Sequence, residues 1–489
     1  MKHKIPHRPP PDRSSLISRI RLFLSLIARS KISTAGAVLV TTAFLADIII
    51  IFGELFVFQS NPYMGIIVWV VFPAVGVLGL LLIPFGLWRR ARRSGVKGIA
   101  GLSGLVKVIQ RRHFFQLILG LSLLNLVIFG AVGYRAIHFM ESPQFCGVLC
   151  HDVMGPEYNI YTDSPHSEVD CVSCHVGSGI GHLLKSKLDG TRQLFAVLTG
   201  NYSRPIPTPI HNLRPAREVC GTCHFPESFH GNMIKIIPQF EADENNTRTV
   251  TILNMKVGGG TGKNKKASGI HWHVDEGSAI RYYASDEKRE KILKVKHTSL
   301  DGKVRVWTHN EQPMPADPDP HNFREMDCVD CHNRPTHVFL PPDRALDQWF
   351  EDEQLDASIP WLRLLCEELI QGPFHSSDEI ITTIAELPQR YQQRYPGLWE
   401  QYQDQVRASV QPLQSMVQMY VYPEMNLQWN SYPSLLGHPT EHTAACFRCH
   451  NGAMLDDDGV AITTECEACH FVLADKEQDP MILRILEDR

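Results

Sequence analysis

The sequence predicts a mainly α chain, with three transmembrane helices ahead of a loop-rich, helical domain that carries a small β-insert. Three observations predict it. Three long apolar runs crowd into the first 140 residues, Cys-x-x-Cys-His segments are spread through the remainder, and residues 232–320 form a Cys-free stretch of short β-rich runs. At 489 residues the chain is long enough for several units. Lys and Arg number 48 against 52 Asp and Glu, a formal net charge of −4, which gives no case for nucleic-acid binding. An apolar content of 44% excludes a wholly disordered chain.

The apolar runs extend from about Ala35 to Phe58, Met64 to Trp88 and Phe114 to Ala136. Crossing a bilayer takes roughly 20 residues, so each is long enough. The first is too long for a cleavable signal, and no small-residue cleavage site follows it. Basic residues set the orientation. Lys2, Lys4, Arg8, Arg13, Arg19, Arg21, Arg29 and Lys31 precede the first run, and Arg89, Arg90, Arg92, Arg93, Lys97, Lys107, Arg111 and Arg112 separate the second from the third. Both stretches are expected on the cytoplasmic side, so everything beyond residue 136 is expected outside. Residues 12–30 alternate basic and apolar side chains, as in a helix lying on the inner surface. Asp47 and Glu54 fall within the first run. Asp47 is either functional or paired with a neighbour such as Arg135, whereas Glu54 is near enough to the outer face to reach it.

Five segments read Cys-x-x-Cys-His. They are Cys171, Cys174 and His175; Cys220, Cys223 and His224; Cys328, Cys331 and His332; Cys446, Cys449 and His450; and Cys466, Cys469 and His470. Two thiols at this spacing each add to one vinyl group of a haem, and the adjacent imidazole becomes an axial ligand to the iron. A zinc site has no need of a His directly after every second Cys. Cys146, Cys150 and His151 form a sixth segment with one extra residue between the cysteines, directly after the third run. The expected cofactors are therefore six covalently bound haems c. Covalent haem of this kind is attached outside the cytoplasmic membrane, which agrees with the orientation drawn from Lys and Arg. Cys366, the one Cys left over, sits in the apolar run Trp361-Leu-Arg-Leu-Leu-Cys and reads as an inert buried thiol.

Thirteen His outside the motifs follow residue 140: His166, His182, His211, His230, His271, His273, His297, His309, His321, His337, His375, His438 and His442. They suffice for a second imidazole on every iron, and an iron with two imidazoles suits electron transfer better than substrate binding. Met154, three residues after His151, is a further candidate ligand near the first haem. Phe145-Cys-Gly-Val-Leu-Cys-His151, Met154-Gly-Pro-Glu-Tyr158, Ser164-Pro-His166 and Cys171-Val-Ser-Cys-His175, in that order, resemble the NapC/NirT (NrfH-like) family of membrane-anchored multihaem quinol dehydrogenases. So does Lys185-Ser-Lys-Leu-Asp189-Gly, similar to the Lys and Asp that the family places beside its quinol site. His211-Asn-Leu-Arg-Pro ahead of Cys220, and His230 behind it, look like the third-haem region of larger members. Cys328 to His337, and His438 before Cys446, look like extended members such as the inner-membrane cytochromes of metal-respiring bacteria.

The resemblance implies menaquinol as substrate, a place in the bacterial inner membrane with the haem domains periplasmic, and periplasmic cytochromes or a reductase as acceptors, with further membrane subunits as partners. Lys185, Asp189 and Glu157 are the candidates for handling the quinol and its protons. His166, His211, His230, His337 and His438 are the candidate distal ligands. Two alternatives stay open: an electron-transfer subunit of a larger complex, and a terminal reductase with one open iron. Family members usually have one span and four haems; here three spans and six haems are expected.

The expected organisation is a basic N-terminus (1–34), a three-helix anchor (35–136), a triple-haem domain (137–231) with haem replacing much of its apolar core, and a β-rich insert (232–320). A fourth-haem segment (321–342), a helical support (343–425) and a two-haem segment with an exposed tail from 471 (426–489) follow. In the insert, runs 233–237, 247–253, 292–296 and 303–307 read as strands, and Gly258-Gly-Gly-Thr-Gly262 reads as a turn rather than a phosphate loop. His271-Trp272-His273 reads as strand, with both imidazoles on one side, one of them reaching a haem or the two forming a surface pair.

Overall fold

The structure is a computed structural model that describes residues 27–28, 30–56, 71–93, 134–135, 138–148, 151–176, 180–210, 215–224, 231–258, 268–275, 278–299, 301–437 and 445–487. The chain divides into two units, Met1–Leu149 and Cys150–Arg489.

In the first unit, α1 (Lys31–Phe56) and α2 (Phe72–Arg93) pack side by side and antiparallel. Small residues let the backbones touch. A Cβ on Gly36 would lie 2.6 Å from the Gly79 carbonyl oxygen, and one on Gly86 would lie 2.5 Å from the Ser33 amide nitrogen. Ser33 Oγ donates to the Ile83 carbonyl at 2.9 Å. A glycine seam with a hydroxyl-to-carbonyl bond across it is the way helices associate in lipid, where apolar side chains gain nothing by meeting each other. Outside the seam, Phe44, Leu45, Leu78 and Leu81 are exposed. Among the residues described down to their side chains, no helix is long and apolar enough to cross a membrane. The backbone of α1 is helical to Phe56, but its side chains are described only as far as residue 46. Most of the third expected span, the start of the second up to residue 70, and the side chains of Asp47 and Glu54 lie outside the described residues, as does most of 12–30. Beyond these, α3 (Pro143–Gly147) carries Cys146; Ser142 caps it, its Oγ accepting from the Phe145 amide at 3.2 Å.

The second unit is a mixed helical domain with small sheets, so the expected helical character holds while the strands reach beyond the expected insert. Helices α4 (His151–Thr162), α5 (Cys171–His175), α6 (Ile180–Leu198) and α7 (Ala216–Cys220) are followed by strands β1 (Met233–Phe240), β2 (Arg248–Met255), β3 (Ser278–Ala284), β4 (Ile292–Ser299), β5 (Val304–His309) and β6 (Phe323–Glu325). Six helices come next: α8 (Pro342–Glu351), α9 (Leu362–Ile370), α10 (Ser377–Ile384), α11 (Leu387–Arg394), α12 (Pro396–Ala408) and α13 (Val410–Tyr420). Strands β7 (Met454–Leu455) and β8 (His470–Glu477) and helix α14 (Met481–Glu487) complete it.

The four strands read from the sequence are present as β1, β2, β4 and β5. Four more were not foreseen. The sheets have the orders β1-β2-β8 and β6-β3-β4-β5-β7, so both recruit strands from the last haem segment. Met255 faces His470 and Ile252 faces Ala474 across β2 and β8. Residues 471–487 are mostly exposed, as expected of a tail, but they are ordered: β8 completes a sheet, and α14 packs Ile482 and Leu483 on Val250, Ile252 and Ala474.

The apolar core lies in α8–α13. Ile380, Ile384 and Leu387 recur at helical spacing, and with Leu346, Ile359, Leu365, Leu413 and Met416 they are almost fully inaccessible. By contrast, the buried apolar residues of the described part of 137–231 are Val153, Ile160, Tyr161 and Ala216.

Asn246 joins the first sheet to this core. It occupies the β1–β2 turn with φ 45°, a left-handed conformation that Asn tolerates better than most residues. Its Nδ2 donates to the carbonyls of Ala357 (2.9 Å) and Ile359 (2.7 Å), and its Oδ1 accepts from the Arg363 amide at 2.8 Å. Asn246→Ala should cost about 3 kcal/mol, because buried backbone groups lose their partners and the positive φ remains. A thermal midpoint by circular dichroism equal to wild type would refute this.

Candidate metal centres

A single turn of chain builds each of the second to sixth motifs. In the third, fourth and fifth motifs the His amide bonds back to the carbonyl of the first Cys: His224 to Cys220 at 2.8 Å, His332 to Cys328 at 2.8 Å and His450 to Cys446 at 3.2 Å. Positions i, i+3 and i+4 of one helical turn share a face. Two thiols and an imidazole are thus presented together. In the second motif the turn belongs to α5, and in the third it follows α7, which ends at Cys220. In the fourth, fifth and sixth it is a 3-10 turn, at Cys328–Asp330, Ala445–Arg448 and Cys466–Ala468. Every described Cys except Cys366 is exposed or half-buried, so each motif thiol can be reached by a vinyl group.

Four motif imidazoles each face a second imidazole from elsewhere in the chain. Ring centres are 6.4 Å apart for His175 and His337, 6.0 Å for His224 and His166, 6.4 Å for His332 and His271, and 5.9 Å for His450 and His273. Two imidazoles on opposite sides of one metal, with bonds of about 2 Å, have ring centres about 6–6.5 Å apart. The inward nitrogens are directed by the outward ones. Nδ1 of His337, His271, His273 and His450 lies 2.9, 3.2, 2.8 and 2.7 Å from the carbonyls of Glu157, Val257, Ile270 and Thr463. An N–H donated to a carbonyl fixes the tautomer and leaves Nε2 as the basic ligand atom. This donor set suits a six-coordinate haem iron.

The second to sixth motifs follow one another in space as they do in sequence. Cys174 lies near Cys220 and Cys223, Cys220 lies beside Cys328, Cys331 lies near Cys446, and Cys446 lies near Cys469. Between the third and fourth motifs, the Ala216 amide also donates to Asp327 Oδ2 at 2.9 Å.

The fourth and fifth motifs are clamped by their own intervening residues. Asp330, inside Cys328-Val-Asp-Cys331, is 1% exposed. It accepts from Tyr282 Oη (2.6 Å), Arg324 Nε (3.0 Å), Arg289 Nη1 (3.4 Å) and the Asp327 amide (2.7 Å). Arg448, inside Cys446-Phe-Arg-Cys449, donates to the carbonyls of Asp330 (2.6 Å), Arg289 (2.9 Å) and Ala445 (2.8 Å). Burial and the neighbouring Asp330 carboxylate push the Tyr282 hydroxyl well above its usual range, so it stays a donor. Sequence reading passed over this hub. Its one visible sign was an acid and a base at the variable positions of two motifs.

The other candidates fall as follows. Glu157 is half-buried, both of its oxygens accepting from Arg334 Nη2 at 2.6 and 2.8 Å, beside His337. Lys185 (exposed) and Asp189 (half-buried) are one turn apart on α6. Met154 lies on α4 and packs against the apolar core. His470 is buried at the start of β8. Cys150, His211, His230, His438 and the side chain of His151 lie outside the described residues. His271 and His273 belong to a 3-10 turn, Ile270–Val274, not a strand, and they face different motifs.

Comparison with known proteins agrees with this donor set. The NapC/NirT cytochrome c family, N-terminal region, matches residues 109–212. The Geobacter sulfurreducens cytochrome c-type protein ImcH is 34% identical over 455 residues, covering 92% of this chain and 89% of that one. The chain therefore belongs to the NapC/NirT cytochrome c family and is a multihaem c-type cytochrome of electron transport. ImcH is the relative it resembles along nearly its whole length; no solved structure matches it.

Two outcomes are expected. Asp330→Asn removes the charge that two guanidinium groups share and should destabilise the second unit by about 2–4 kcal/mol. An unshifted urea midpoint would count against the hub. Complete burial pushes the Cys366 thiol up to about 12, so it should resist iodoacetamide in the native protein and react after denaturation; native labelling would show that the site opens.

Proposed function

We propose that the chain is a membrane-anchored hexahaem cytochrome c of the bacterial inner membrane, which oxidises menaquinol and passes electrons along its haems to periplasmic acceptors. The observation that carries this reading is the set of four imidazole pairs. Irons held on both sides have no position for substrate and suit electron transfer. Cys171/Cys174 with His175 and His337, and Cys220/Cys223 with His224 and His166, would each hold one haem, as would the other motifs with their own thiols and imidazole. Bound there, each iron takes up and releases one electron at a time. The anchor is supported by the glycine-lined contact of α1 and α2 and their apolar outer faces. The distribution of Lys and Arg supports periplasmic haem domains.

Quinol oxidation releases two electrons and two protons. Lys185 and Asp189 are assigned to the quinol by the family resemblance, and their one-turn separation on α6 lets both reach one ligand. The ammonium donates a hydrogen bond to a quinol oxygen, while the carboxylate accepts the proton leaving the hydroxyl. Glu157, by contrast, has its carboxylate paired with Arg334.

Anaerobic mixing with a menaquinol analogue, followed by haem absorbance, tests the reading. The haems should become reduced, and Asp189→Asn should slow the reduction by about tenfold or more. Haems that dithionite reduces but the quinol does not would leave a pure electron-transfer subunit. An unchanged rate in the variant would remove Asp189 from the site.

A further inference from the structure

We infer that the 3-10 turn Ile270–Val274 supplies the distal ligands of two different haems, His271 to the fourth motif and His273 to the fifth. The inference rests on the haem reading and deepens it. His271 faces His332 at 6.4 Å with ring planes 5° apart, and His273 faces His450 at 5.9 Å with planes 72° apart. Each has Nδ1 against a backbone carbonyl, Val257 for His271 and Ile270 for His273. The motif residues they face, His332 and His450, come from distant parts of the chain, held together by Arg448 on the Asp330 carbonyl.

The turn itself is anchored. Trp272 packs on the core of the five-stranded sheet, its ring 4.9 Å from that of His297. The Ile270 and His271 amides donate to the carbonyls of Lys256 and Val257 at 2.8 and 3.1 Å. At its base Gly269, with φ 71°, meets Gly258 so closely that an added Cβ would lie 2.4 Å from the Lys256 carbonyl oxygen. A turn so fixed cannot move one imidazole without the other, so both irons share one structural element and one separation.

The differing ring angles give a spectroscopic test. Near-parallel imidazoles on a low-spin ferric iron produce a rhombic EPR spectrum, and near-perpendicular ones a signal with a single large g value. In the full-length protein, His271→Ala should lose a rhombic component and His273→Ala a large-g component. Each should convert one of six irons to high spin, with added imidazole restoring low spin, while pyridine haemochrome still counts six haems. His375→Ala, at an exposed position on another element, should leave all signals intact. If haem is retained and every iron remains low-spin in both Ala variants, the assignment is overturned. Should those variants lose haem, His271→Met and His273→Met replace an imidazole by a thioether. Each should then move one near-infrared charge-transfer band to the His–Met position, and unmoved bands would also overturn it. A wild-type haem count far below six would instead defeat the underlying reading.

Discussion

The second unit is governed by one metric requirement: a motif imidazole and a second imidazole from remote sequence must stand about 6 Å apart with their Nε2 atoms facing. Local chain geometry meets half of it, since one turn brings Cys, Cys and His to a common face. The other half is long-range. His166 faces a motif 58 positions further along the chain, counted from His166 to His224, and His337 comes back to one that lies earlier. The β-strands, the Asn246 staple and the Asp330 hub hold these distant parts in register. That also explains why so few apolar side chains are buried among the described residues of 137–231, while the helices beyond 342 have a dense core of their own.

The charged groups near the motifs act in two ways: Glu157 lies behind an imidazole, whereas Asp330 holds the backbone of the fourth motif. Glu157 with Arg334 backs His337, and Asp330 with Arg289 and Arg324 backs the fourth motif. A carbonyl or carboxylate behind an axial imidazole makes that imidazole a stronger donor and fixes its plane. Buried ions of this kind add little net stability, since desolvation offsets most of their attraction, but they hold geometry that apolar packing leaves loose.

Much of this was legible in sequence. The motifs carry their own chemistry, and β-branched runs marked β1, β2, β4 and β5. Strands β3, β6, β7 and β8 were missed because their existence depends on partners: Ser278–Ala284 has weak alternation, and β8 is a strand only because β2 offers it an edge. His166 and His337 were singled out by the family resemblance, and each faces a motif other than the one beside it in sequence. His271 and His273 were read as sharing a face because alternation was assumed, but Gly269 at positive φ turns the chain into a 3-10 segment instead. No local pattern could match either of them to a motif, since the match depends on how β3 and β4 pair.

The contact between the Cys220 and Cys328 thiols bears on how the molecule is made. Where oxidants are abundant, neighbouring sulfhydryls of a bare chain would be trapped as a cross-link, which would leave two porphyrins without an attachment point. On the proposed haem reading, attachment at Cys220 before the region around Cys328 folds against it would keep both sulfurs available. Maturation is best served by loading the chain in the order it emerges.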